Sequence, residues 1–134
     1  MKGIFRISLI VTLFGLAVVS CVEDPPSGEN YQDQFVGNWN VLEKTGINAP
    51  QSYVVEIVRG GTQDEIFIKG LYNNPAIMVK AELFGLELDI PFQWSDSISF
   101  TGSGQANIGF DQITIDFKAN DGSGDDQVRA ILAP

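Results

Sequence analysis

The chain has 134 residues, 44% of them hydrophobic, with 17 acidic against 8 basic side chains, one cysteine and no histidine. A formal net charge of −9 argues against binding nucleic acid or anionic headgroups through charge, since both need clustered Lys and Arg. Without histidine there is no Ser-His-Asp or Cys-His catalytic set and no Cys/His zinc site, and a lone cysteine closes no internal disulfide.

Residues 1–20 read as a secretory signal. Lys2 and Arg6 give a basic start, and residues 7–19 are apolar apart from Ser8, Thr12 and Gly15. That run falls short of the roughly 18 residues needed to span a bilayer. It ends in Val18-Val19-Ser20-Cys21, which resembles the lipobox of bacterial lipoproteins. The resemblance implies cleavage by signal peptidase II between Ser20 and Cys21, a diacylglycerol on the Cys21 thiol and acylation of the new N-terminus. Buried acyl chains contribute about 0.8 kcal/mol per CH₂, so two or more make a stable anchor.

Val22 stands where enterobacterial lipoproteins retained in the inner membrane carry Asp. Glu23 and Asp24 resemble the acidic export signals of Bacteroidota surface lipoproteins. The expected address is therefore extracytoplasmic, in the outer membrane or at the cell surface. Residues 21–34 carry Pro, Ser, Gly and acidic side chains, and read as the lipidated cysteine and a flexible acidic tether. Residues 35–134 make one domain with a modest core.

From residue 35 apolar side chains recur with period two. Ile77, Val79, Ala81 and Leu83 share one face; so do Leu86, Leu88 and Ile90, then Ile98 and Phe100, then Ile113, Ile115 and Phe117. Tyr53, Val55 and Ile57 alternate less cleanly, and residues 35–42, 65–69 and 127–132 are shorter candidates. No segment shows a helical period. The breaks carry turn chemistry at Gly60-Gly61, Asn73-Asn74-Pro75, Gly85, Ser95-Asp96, 107–109 and 120–124. Eight sequential strands with short connections predict an all-β, up-and-down antiparallel barrel, which leaves no exposed sheet edge. A β-sandwich is the alternative.

Phe35-Val36-Gly37-Asn38-Trp39 resembles the Gly-x-Trp first strand of lipocalin-like barrels, in which the Trp closes one end of the core. Tyr53-Val54-Val55-Glu56-Ile57, Leu88-Asp89-Ile90-Pro91-Phe92-Gln93, Phe100-Thr101-Gly102-Ser103-Gly104 and Asp121-Gly122-Ser123-Gly124-Asp125 resemble segments of small Bacteroidota lipoproteins of unassigned function. The resemblance implies a lipid-anchored lipocalin-like barrel and carries over no catalytic residue.

Strand parity orients such a barrel. The tether enters at the first strand, so segments 60–64, 84–85 and 106–111 lie at the tether end. Segments 45–51, 70–75, 92–96 and 120–126 lie at the distal end. The distal rim holds Tyr72 and Trp94 beside Asn73, Asn74 and Gln93, aromatic and amide groups of the kind that line a ligand mouth or a partner interface. Trp94 shares parity with Leu88, Ile90 and Phe92, so it and Tyr72 either plug the barrel end or meet a ligand. Gly102 and Gly104 on the inward face either leave room for a cavity or let the strand coil sharply.

Two further clusters gather acidic side chains. Glu87 and Asp89, with Glu82 across a tight turn, are a carboxylate group read as solvated surface acid rather than a hydrolytic pair. Asp121, Asp125 and Asp126 could gather oxygen ligands for Ca²⁺, but their spacing departs from an EF-hand loop and no terminal Glu follows, so a plain acidic turn is the other reading. The expectation is a non-catalytic lipoprotein without cofactor or metal. It binds a small apolar ligand or an envelope protein through its distal rim; a structural, accessory or inhibitor subunit is the alternative.

Overall fold

The computed structural model describes residues 31–134. The expected signal, Ser20, Cys21 and the tether up to residue 30 lie outside the described residues. Eight antiparallel strands follow in order: β1 (Gly37–Thr45), β2 (Gln51–Arg59), β3 (Glu65–Lys69), β4 (Met78–Phe84), β5 (Glu87–Ser95), β6 (Ile98–Ala106), β7 (Ile113–Asn120) and β8 (Asp125–Ala133). Each pairs with its neighbour in sequence, and β8 pairs with β1, so the sheet is a closed up-and-down barrel and not a sandwich. Closure gives every strand two partners, which is why the period-two pattern could be satisfied eight times with only short turns.

The inward faces fill the interior. Val55 and Ile57, Ile66 and Ile68, Val79 and Ala81, and Ile113, Ile115 and Phe117 are all buried. Gly102 and Gly104 leave no cavity. A Cβ on Gly102 would fall 2.3 Å from the Asp116 carbonyl oxygen, and one on Gly104 2.7 Å from the Thr114 carbonyl oxygen. The two glycines let β6 press its backbone against β7, the sharp-coiling alternative.

One helical turn, α1 (Gln32–Phe35), precedes β1 where alternation alone predicts tether and strand. It plugs the tether end. Phe35 is fully buried and meets Phe110 edge-on at 5.0 Å, with Tyr31 packed on the same ring at 5.9 Å. Gln32 donates from Nε2 to the carbonyls of Thr62 (2.8 Å) and Glu65 (2.7 Å), and Arg59 pairs with Asp33. Trp39 Nε1–H donates to the Phe35 carbonyl at 2.8 Å, so the Trp of the Gly-x-Trp segment does close this end of the core. The packed domain thus includes residues 31–34, which the sequence assigns to the tether. One turn is too short to register as a helical period.

Candidate functional site

The distal end is closed by a polar network. A 3₁₀ turn (Leu71–Asn73) carries Tyr72 in a left-handed conformation, φ 64°, which aims its ring into the barrel. The ring meets Phe100 and Phe117 edge-on, each at 6.2 Å. Its hydroxyl donates to Asp126 Oδ2 at 2.6 Å, while Asp126 Oδ1 accepts from the Ile47 N–H at 2.9 Å. Tyr53 donates to Glu43 Oε2 at 2.5 Å and accepts the Tyr72 N–H at 3.0 Å. Gln51 Nε2 donates to Glu43 Oε1 at 2.9 Å, and its own Oε1 accepts from Asn73 at 3.0 Å. Glu43 and Asp126 are both buried, so these donors are what makes the burial tolerable. Burial first, and then the hydrogen bond to the neighbouring carboxyl group, push the ionisation of Tyr53 and Tyr72 far above the ordinary tyrosine value.

Tyr72 is therefore a plug, not an open rim residue. Asn74 is likewise engaged, donating to Asp96 Oδ2 at 3.4 Å. Gln93 is occupied as well. Backbone pairing of β4 with β5 spans Glu82↔Asp89 to Phe84↔Glu87, and beyond it the Gln93 side chain takes over. Its Oε1 accepts from the Lys80 N–H at 2.7 Å, and its Nε2 donates to the Lys80 carbonyl at 2.9 Å. The five rim residues expected from the sequence do not form one surface.

Trp94 lies elsewhere, because β5 is irregular. Between Ile90↔Gly102 and Gln93↔Phe100, β5 uses three steps against two on β6. This bulge inserts one residue and reverses the facing of all that follow. Phe92 and Trp94, inward by simple parity, stand on the outer wall, 64% and 65% exposed. They also lie within β5 rather than in a loop; the turn is Asp96-Ser97, with φ of 50° and 67°, as a two-residue type I′ hairpin requires.

The two rings meet edge-to-face at 6.0 Å. They border an open groove of about 400 Å³ that crosses β6 to Lys118 and Asn120 on β7 and Asp125 on β8. Trp94, Ser99, Asn120 and Asp125 form one row across four strands. Ser99 lies at the groove floor, only 8% exposed, and its hydroxyl has no partner among the described residues. The signal that sequence reading missed is Pro91, which cannot donate to a ladder and so favours a bulge.

The acidic candidates separate. Asp126 faces inward to Tyr72. Asp125 faces outward, beside Lys118 (3.7 Å) and Asn120 (2.8 Å), and Asp121 accepts from the Ser123 hydroxyl at 2.6 Å. That hydroxyl, together with the Ser123 N–H, holds the Asp121 carboxyl below its ordinary range. Adjacent strand residues point to opposite faces, so Asp125 and Asp126 cannot share an ion. Among the described residues no three acidic or cysteine side chains are placed to hold a metal. Glu82, Glu87 and Asp89 are all exposed on the outer wall.

No family model and no curated protein matches the chain. Among solved structures it is similar to a redesigned β-barrel, with a TM-score of 0.54 at 14% sequence identity over 78% of this chain and 95% of that one. At that identity the likeness carries the fold alone, a β-barrel.

Proposed function

We propose that the protein is a non-catalytic binding lipoprotein, anchored through Cys21 in the outer membrane or at the cell surface, that meets its ligand on the distal outer wall of the barrel. The reading is supported above all by the exposed Phe92–Trp94 pair on a barrel whose interior is packed and whose ends are plugged by Phe35 and Tyr72. Two large rings held in solvent on a rigid strand lose little entropy on binding, and nothing in the core uses them. A small apolar ligand inside the barrel finds its space already taken by Phe100, Phe117 and Tyr72.

A second apolar site favours the accessory-subunit reading. Leu42, Val54, Ile131 and Ala133 line a groove of about 520 Å³ on the β1–β2–β8 wall. A photo-crosslinking residue placed at position 94 or at position 54 in intact cells separates the two. Adducts from 94 alone support the distal-wall contact; adducts from 54 alone transfer the function to the other wall. Incorporation of an alkyne fatty acid into the protein, lost in Cys21→Ser, checks the anchor.

A further inference from the structure

We infer that the Phe92–Trp94 groove is a saccharide-binding site for a neutral, linear oligosaccharide. The inference rests on the distal-wall contact proposed above and names its ligand class. Three observations carry it.

The first is the aromatic pair. Trp94 is largely exposed on β5 against Phe92, and an aromatic face is electron-rich, which suits a ring whose C–H bonds present a weakly positive apolar face. The second is the floor. Ser99 is more than nine-tenths buried, stands opposite Trp94 on the neighbouring strand, lines the groove and has no partner among the described residues. A buried hydroxyl without a partner is costly, and a ligand hydroxyl placed against it restores the bond. A purely apolar occupant would leave Ser99 unpaired, which argues against a lipid tail or a hydrophobic protein anchor.

The third is the line of side chains along the wall. Ser97, Ser99, Thr101, Ser103 and Gln105 project outward in succession from the turn and β6, all hydroxyls or an amide. On one strand face such groups recur about every 7 Å. Ser103 and Gln105 of this row also line a second open depression, of about 540 Å³, together with Thr114 and Asp116 on β7. The surface is therefore an elongated polar track with an aromatic platform at its distal end. That shape fits a chain of polyhydroxylated rings better than a compact ligand.

Charge narrows the class. The track is bordered by Glu87, Asp116, Asp121 and Asp125, while Lys118 and Arg129 are already paired with Asp125 and Asp116. Anionic glycans meet repulsion here, and neutral ones do not.

The test is isothermal titration of the purified protein with soluble hexasaccharide probes of β-glucan, α-glucan, xylan, mannan and chitin, against wild type, Trp94→Ala, Ser99→Ala and the control Phe84→Ala, an exposed aromatic outside both grooves. At least one probe is expected to bind wild type and Phe84→Ala alike. Affinity should fall about tenfold or more in Trp94→Ala, a loss worth about 1.4 kcal/mol, and measurably in Ser99→Ala. Circular dichroism of each variant confirms that the barrel is retained. Binding that survives Trp94→Ala, or heat from none of the probes, overturns the saccharide assignment. If a crosslinker at position 94 still captures an envelope protein in that second case, the distal-wall contact stands and only the ligand class is lost.

Discussion

Tyr72 reaches Asp126 across the distal mouth of the barrel, hydroxyl to Oδ2 at 2.6 Å, joining residues 54 positions apart in sequence. The contact fixes a bulky residue at φ 64°, where a non-glycine residue is strained by about 1–3 kcal/mol. The strain is tolerated because the Tyr72 N–H also has a partner, the Tyr53 hydroxyl. The distal end is consequently closed by this network, and the proposed ligand contact lies on the outer wall instead.

Tyr72→Phe keeps the ring but removes the donor from a buried Asp126. The Ile47 N–H still serves the other oxygen, so a loss of about 1–3 kcal/mol in unfolding free energy is expected. Chemical denaturation measures it. Asp126→Asn in the Tyr72→Phe background should cost much less than in wild type, as a double-mutant cycle would reveal.

Alkali should unfold the protein. Tyr53 and Tyr72 ionise at higher pH in the folded state than in the unfolded one, where the ordinary value is about 10. The folded state then binds more protons, so the contribution is complete below pH about 10 and is lost as pH rises through and above that value. Denaturant midpoints across this range should fall with pH. The loss should be smaller in the Tyr53→Phe and Tyr72→Phe variants, read against their own neutral-pH midpoints.

Gly102→Ala is expected to destabilise by about 1–3 kcal/mol, since its Cβ would meet backbone at 2.3 Å. Gly61→Ala, whose nearest neighbour is a flexible Glu65 carboxylate oxygen at 3.5 Å, should be close to neutral. Thermal midpoints of the pair test whether the two β6 glycines mark a close strand approach rather than a cavity.

Gln32→Ala removes two hydrogen bonds from α1 to the 62–65 segment. Native-state hydrogen exchange should quicken around Phe35 and Trp39 at the tether end and stay unchanged at Ile68 and Val79. Equal protection in both proteins would place α1 outside the cooperative core.

The barrel was legible because its grammar is local. Ile113-Thr114-Ile115-Asp116-Phe117 alternates cleanly, and each break carries Gly, Asn or Asp, so strand number and order follow from period and turn length, while closure rather than a sandwich is settled by the pairing of β8 with β1. The candidate site was only half legible. Trp94 stands out in the sequence as a rim aromatic, but its facing depends on one extra residue at the β5 bulge, and a single insertion inverts everything after it. Tyr72 stands out too, yet its role depends on Asp126 and Tyr53, partners supplied by other strands. The short α1 carries no periodic signal; its place is set by Phe35 docking on Phe110.

The claim that the barrel works through its outer wall is tested most directly by ¹⁹F NMR of the protein labelled with 5-fluorotryptophan. The chain has two tryptophans, Trp39 in the core and Trp94 on the wall, so two resonances are expected, assigned by loss of one in Trp94→Phe. The account predicts that the Trp94 signal shifts between H₂O and D₂O and moves again on titration with a neutral oligosaccharide, while the Trp39 signal does neither. A Trp94 signal insensitive to solvent, or a titration that moves Trp39 instead, would place the binding surface inside the barrel and contradict it.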